Sequence, residues 1–437
     1  MRTRSLPGPT VFAALLAAAA LALPAEAGAL SLFEDDEQDG GALRHSGVLG
    51  LVTRSLPDYH DLPQSRLSAD SYLETELRFE AQSSEAVGRL TFDSRTGVSE
   101  FRDLVDEAYL RLFYDRFSLQ VGYFKTTWGK GDDIHVVDVL NPIDYRDFIN
   151  PDYIDRKLAE AMLKLDIYAG RRGRLELVWV PVLTPDLVPL QGPWVPREVR
   201  ALQAALTAAP DPAPDATVVY DAVHEAGRRL DRGQLGARYS GTARGVDFGA
   251  LYYFGFYREP VIDLAALGQA DDPGSPADAI GFNRLHLFGL EAATVAAGIN
   301  LRAELAYLMS EDFAANDPDV PNHSLAYVLG GDRNLGLSNL NLNLQTRGEL
   351  DLGEADTHHT LVATLSHSLR NDRIRPELSA IHNPEDGDGA LRPAIEFLLR
   401  DDARLRLRGS FFYGDRDTMF GQFRDTDFAE LEFRYAF

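Results

Sequence analysis

Between Val121 and Leu158 the chain sets Asp132, Asp133, Asp138, Asp144, Asp147, Asp152 and Asp155 among Val136, Val137, Val139, Leu140, Phe148 and Ile149. Gly129, Gly131, Asn141-Pro142 and Asn150-Pro151 punctuate the stretch, so it reads as a loop. A loop that mixes aliphatic residues with carboxylates at this density is poorly suited to standing in water and suits folding into a lumen. The aliphatic residues would anchor the loop on an apolar wall, leaving Trp128, Asp132, Asp133, Asp138, Asn141 and Asp144 beside the water. A facing row of arginines would then create a transverse field that orients polar solutes. Trp128 has an equal second reading as a girdle or packing residue.

The competing chemistries lack their parts. A hydrolase needs a nucleophile, a base and an orienting group in mutual reach. Ser366 and His367 are adjacent, and so are His358 and His359, which puts each pair on opposite faces of a strand. His224-Glu225 lacks the second histidine of a helical zinc motif, and no G-x-S-x-G occurs. Asn383, Glu385, Asp386 and Asp388, like Asp312, Asp317 and Asp319, could donate oxygens to calcium, but neither run completes a calcium loop. No enzyme activity, cofactor or metal is expected.

The elements that must position the acidic loop are strands. In 71–82 Leu73, Thr75, Leu77, Phe79 and Ala81 alternate with Glu74, Glu76, Arg78 and Glu80. Side chains on a strand alternate faces, so one face is apolar and the other charged. The rhythm returns at 105–115, 297–308, 338–350 and 403–413, where Leu405, Leu407 and Phe411 oppose Arg404, Arg406 and Arg408. Such runs reach the roughly 9–11 residues that a tilted membrane strand requires.

Connection lengths give an independent indication. Strands are expected near 46–54, 71–82, 86–95, 105–115, 116–126, 159–169, 173–182, 233–242 and 245–258. Further strands follow near 282–292, 296–310, 323–332, 338–350, 358–370, 373–383, 391–400, 403–414 and 426–437. The gaps alternate short and long, with turns at Asp115-Arg116, Gly170 to Arg172, Asn371-Asp372 and Asp401-Asp402 against loops such as 127–158, 183–232 and 259–281. Outer-membrane barrels alternate in this way, and a soluble sandwich has no reason to. The expectation is an all-β, transmembrane, antiparallel up-and-down barrel of about 18 strands, with about 16 as the other count.

In that barrel the charged strand faces point into the lumen. Arg78, Arg111, Arg302, Arg404, Arg406, Arg408 and Arg434 are the candidates for a basic lumen wall, together with Arg347. Glu430 and Glu432 could instead pair with Arg404, Arg406 and Arg408 across strands and stiffen the wall. Tyr252 to Phe254, Phe256, Tyr257 and Phe411 to Tyr413 suit interfacial aromatic girdles.

Residues 1–27 have the grammar of an export signal: Arg2 and Arg4, the apolar run Val11 to Leu23, then Ala25-Glu26-Ala27. The acidic run within 28–45 is expected to be a flexible lead-in, and 46–437 the barrel. Within the long external loop 183–232, proline-rich at its start, two short helices are expected near 197–208 and 217–230, the whole serving as lid or partner surface. Cysteine is absent, so a closed hydrogen-bond ladder rather than disulfides would hold this exported chain together. A net charge of −24 argues against nucleic acid as a partner. Membrane lipid, lipopolysaccharide and small solutes are the expected partners; a homo-oligomer is an open alternative.

The final strand alternates Ala429, Leu431, Phe433, Tyr435 and Phe437 with Glu430, Glu432 and Arg434. Its terminal aromatic Phe437 resembles the signal read by bacterial barrel-assembly machinery. The acidic loop, joining the fifth and sixth strands, resembles the constriction loop of general bacterial porins. W-G-x-G-D at Trp128 to Asp132, followed by D-x-x-N-P-x-D at Asp138 to Asp144, is similar to a group of porin-like outer-membrane barrels of Gram-negative bacteria. This local likeness covers about 40 residues. It implies an integral outer-membrane channel for passive diffusion of small polar solutes or ions, with no defined solute. The alternatives are a plugged structural or adhesive barrel acting through its external loops and, behind that, an outer-membrane hydrolase.

Overall fold

The computed structural model describes residues 41–437 apart from 58–66, 96–100, 148–152, 171, 209–215, 264–265, 267–275, 312–322, 337–338 and 354–356. The expected export signal over 1–27, most of the acidic lead-in and Asp312, Asp317 and Asp319 lie outside those residues.

Strands β1 (Ala42–Ser55), β2 (Leu67–Ala81), β3 (Ser84–Asp93), β4 (Val105–Phe113), β5 (Phe117–Phe124) and β6 (Glu160–Ala169) open the sheet. They continue as β7 (Gly173–Val180), β8 (Gln234–Ala243), β9 (Val246–Ile262), β10 (Ile280–Ala296), β11 (Ile299–Glu311) and β12 (His323–Asn334). The circuit ends with β13 (Leu340–Asp351), β14 (Thr357–His367), β15 (Ile374–Asn383), β16 (Asp388–Arg400), β17 (Ala403–Tyr413) and β18 (Phe428–Ala436). Each strand pairs antiparallel with its neighbours in sequence, and β1 pairs with both β2 and β18. The 18-stranded sheet therefore closes on itself and leaves no edge to satisfy. Residue for residue, the Ser55↔Ala429 to Val48↔Ala436 register joins the first and last strands.

β1 starts at Ala42 rather than near residue 46, so the end of the expected 28–45 lead-in belongs to the sheet. Leu43 and His45 pair with Phe79 and Leu77, and the barrel wall claims the segment. All the other expected strands form, with ends shifted by a few residues.

The pleat sorts the side chains as the alternation implies. Leu77 (53 % exposed), Leu290 (55 %) and Leu329 (53 %) belong to an outward belt of exposed leucines running round the sheet. So large an apolar surface on a monomer calls for an apolar surrounding. Among the described residues no helix is long and apolar enough to cross a membrane.

The aromatic clusters divide between the faces. Tyr252 and Phe254 share contacts with His286, and Tyr307 stacks on His323. Tyr253 and Phe412, expected in girdles, are buried inside the barrel instead, because adjacent residues on a strand cannot share a face, while Phe256 is buried beneath α3 (Ala216–Gly227) beside Leu183 and Phe282.

Short turns occupy one end. At that end Phe437 and Gly47 exchange backbone hydrogen bonds at 2.8 and 2.9 Å. Long connections occupy the other. They carry the one-turn helix α1 (Tyr153–Arg156) and helices α2 (Arg197–Ala208) and α3 (Ala216–Gly227). α2 and α3 form where two short helices are expected.

Candidate functional site

The acidic loop leaves β5 and enters the barrel. Its apolar residues drive this: Trp128, Val137 and Leu140 are fully buried, packed with Val136 against Leu251, Tyr253, Leu285, Leu287, Ala306 and Val328 on β9–β12. Burial of each large apolar side chain is worth about 1.5–3 kcal/mol, which offsets the entropy of ordering a long loop. Gly236 on β8 makes room for the indole, since a Cβ there would stand 2.5 Å from Trp128 Cη2.

Two wall carboxylates then take up the loop's backbone donors. Glu304 accepts from the amides of Lys130 (2.7 Å), Gly131 (2.7 Å) and Val136 (2.9 Å), and Glu304 Oε1 lies 2.9 Å from His135 Nδ1. Glu291 accepts from Gly129 N–H at 2.8 Å and from Arg238 at 2.5 Å. Gly129 is at φ +106, and a Cβ there would stand 2.2 Å from Glu304 Oε1, so both conformation and closeness require glycine. The Trp128 indole N–H donates to Glu176 on β7. Burial pulls the His135 imidazole down, but the hydrogen bond and charge of Glu304, joined by Asp138, outweigh it and hold it above 6.5.

Of the six residues expected beside the water, three are internal clasps. Trp128 is packing. Asp138 is buried, 2.7 Å from Lys157 Nζ, and accepts from Tyr153 (3.1 Å) and Trp128 N–H (3.2 Å). Asn141 ties the outgoing and returning legs: its Oδ1 accepts from Thr126 N–H (2.9 Å), and its Nδ2 donates to Phe124 O (3.0 Å) and Leu158 O (2.8 Å). None of the three borders water, because polar side chains at the loop's base must satisfy its backbone. Asp144 pairs with Arg146 at 2.7 Å. Asp132 meets Arg302 at 2.8 Å and accepts from Asn343 at 2.8 Å. Asp133 faces β14–β17, where it lines a cavity of about 110 Å³ with Arg392, Arg406 and Arg408.

A second segment, following β7, runs beside the first. Ile143 N–H donates to Asp186 (2.7 Å), Leu187 N–H to Ile143 O (3.0 Å), and Tyr145 N–H to Leu187 O (2.8 Å). Arg258 joins the two segments, donating to Leu140 O (2.6 Å) and Thr184 O (2.5 Å) beside Glu160 (3.1 Å). Burial lifts the Asp186 carboxyl to about 6 against the opposing pull of Arg258 and the Ile143 amide. Trp194 then packs on Phe412, Phe423 and Phe428 near β17 and β18, on the far side from β7.

The acidic loop also reaches the closing seam. Asp147 pairs with Arg54 (2.8 Å) and Arg95 (3.5 Å), and Arg54 with Glu430 (2.6 Å). Burial pushes the Asp147 carboxyl up, but Arg54 and Arg95 outweigh it and leave it below the ordinary carboxylate value.

The inward wall carries further ion pairs. Arg78 pairs with Glu76 (2.9 Å) and Glu85 (2.8 Å), Arg111 with Asp166 (3.5 Å), and Arg302 with Asp332 (2.7 Å) as well as Asp132. Arg404 approaches Glu396 (3.7 Å), Arg434 approaches Glu74 (3.9 Å), and Arg408 meets Glu430 (2.6 Å). Cross-strand pairing thus occupies much of the expected wall. Arg406 forms no hydrogen bond or ion pair among the described residues. Sequence reasoning missed Glu176, Glu291, Glu304, Arg54 and Arg392. Each sits in the lumen phase of its strand, but nothing local says which lumen residue a distant loop will meet.

In the turn Asn383 to Asp388, two of the three acids are taken up by protein donors. Asp388 accepts from Asn383 (2.8 Å) and Phe420 N–H (2.5 Å), and Glu385 from His359 N–H (3.0 Å).

The fold resembles those of solved outer-membrane barrels. OccAB3 of Acinetobacter baumannii is similar with a TM-score of 0.50 at 8% identity, covering 90% of this chain and 99% of that one. OmpT of Vibrio cholerae, in trimer form, has a TM-score of 0.45 at 9% identity over 91% and 99% of the two chains. A mutant of the Rh. blastica porin has 0.43 at 12% identity over 90% and 100%. Identities this low concern the fold, and only the first score is high enough to carry that argument. No curated protein matches the sequence. The sequence model of the family described as "Protein of unknown function (DUF1302)" matches residues 91–333, more than half the chain and the whole docked loop with the strands that hold it. The chain belongs to that DUF1302 family.

Proposed function

We propose that the protein is an integral outer-membrane channel through which small polar solutes or ions diffuse passively. One observation carries this reading: the lumen is divided. The loop is packed on the apolar inward face of β9–β12. The inward face from β14 round to β4 keeps its charged residues, among them Arg392, Arg406, Glu432, Glu74, Arg78 and Arg89. A charged wall facing Asp132 and Asp133 supports a water path along that side, with selectivity from width and field. The reading needs no catalytic step and no cofactor. Lipid on the outward belt, lipopolysaccharide at the loop end and assembly machinery acting on Phe437 are the partners it implies, and a homo-oligomer is compatible with it.

Planar-bilayer recording of the refolded chain tests it. Discrete conductance steps are expected, with a non-zero reversal potential under a salt gradient. A folded barrel that passes no current would overturn the reading. It would favour a second one, a plugged barrel acting through its external loops, which the additional crossing from Leu183 to Trp194 supports.

A further inference from the structure

The cavity between the loop and β14–β17 has a donor surplus that the wall does not use. Arg408 is committed to Glu430 at 2.6 Å. Arg392 is not committed: its Nε is buried without a hydrogen-bond partner, and its Nη2 makes only a long 3.4 Å bond to Ser379. Arg406 also keeps its donors, although Glu396 and Glu432 lie opposite it in register. Glu432 accepts from Tyr72 at 2.6 Å, and Glu396 lies nearest Arg375 and Arg404, at 3.6 and 3.7 Å. A buried guanidinium N–H without an acceptor is costly, and a carboxylate meets the planar fork with two parallel bonds. Two carboxylates, Asp133 across the cavity and Glu377 on β15, also line it, and Thr364, Ser379 and Ser410 add hydroxyls. The volume of about 110 Å³ admits a molecule of a few heavy atoms.

We infer that this cavity is a binding site for small organic carboxylates that carry a hydroxyl or similar donor, the carboxylate on Arg392 and Arg406 and the donor on Asp133. The inference deepens the channel reading, since the site borders the proposed water path, but binding can be measured without conduction.

Titration calorimetry of the refolded, detergent-solubilised full chain with glycerate is the test. Glycerol lacks the carboxylate, propionate lacks the hydroxyls, and sulfate serves as a generic anion. Glycerate is expected to bind in preference to all three. Arg392→Gln and Arg406→Gln should each weaken glycerate about tenfold or more, the loss of one charged hydrogen-bonding group. Asp133→Asn should narrow the gap between glycerate and propionate. Heat-modifiable gel mobility establishes that each variant is folded, and with two arginine variants one misfolded protein does not end the test. Equal binding of glycerate and glycerol, equal binding of sulfate, or glycerate affinity untouched in a folded arginine variant would overturn the inference. Conduction without glycerate binding would sink this site and leave the channel standing; binding by a silent barrel would do the reverse.

Discussion

At the scale of residues, the site is organised by carboxylates that receive donors rather than by carboxylates that face water. Glu304 collects three amides and His135, so Glu304→Ala leaves those donors unsatisfied. The expected loss is roughly 2–4 kcal/mol of loop docking, read as a lower melting temperature of the folded band and noisier, larger conductance steps, with Glu304→Gln intermediate. The imidazole of His135 is held above 6.5, so its stabilisation is fully present below pH 6.5 and is lost as pH rises through the folded-state value. Thermal stability of the docked loop should therefore fall as pH rises above 6.5 and through the folded-state value, and His135→Gln should flatten that slope. Asp147 has the opposite sign. Its contribution is present above pH 3.8 and disappears as acid passes its depressed value. Neutralising Asp132 and Asp133 should move the reversal potential toward anion preference, and an unchanged potential would remove them from the selectivity account. Asp138 does not belong in that pair, because Asp138→Asn strands the buried Lys157 ammonium at a cost of about 3–5 kcal/mol.

At the scale of elements, period-2 alternation made the strands legible, because a face that meets lipid and a face that meets water impose opposite residue types at every step. The same alternation assigned Leu77 outward and Arg78 inward without knowledge of any partner. The loop has no period. Its aliphatic residues could be read as anchors, and Val136, Val137 and Leu140 are indeed buried. The direction of each aspartate could not be read, since it depends on partners such as Glu304 and Arg302 that stand far away along the chain. Trp128 shows the same limit, for its place is set by Gly236 and Glu176. Trp128→Ala should cost about 3–5 kcal/mol and release the loop, enlarging single-channel conductance. Gly236→Val should act in the same direction by displacing the indole, and a conductance identical to wild type in both would show that the loop does not narrow the path.

At the scale of the whole molecule, closure and asymmetry follow from one sheet. β1 pairing with both neighbours removes every edge, so a chain without cysteine has no need of disulfides. The inward face carries an apolar patch where the loop docks, set beside Glu291 and Glu304, and charged residues from β14 round to β4, and the proposed water path runs along that second side. The absence of native cysteine makes this testable at single positions. Thr364→Cys stands on the charged side and lines the cavity, whereas Ala326→Cys would lie buried beneath the docked loop. The most direct measurement is the current through each variant in a planar bilayer before and after a negatively charged methanethiosulfonate reagent. The divided lumen predicts a lasting drop in conductance for Thr364→Cys and none for Ala326→Cys. Block at Ala326→Cys with Thr364→Cys unaffected would contradict it.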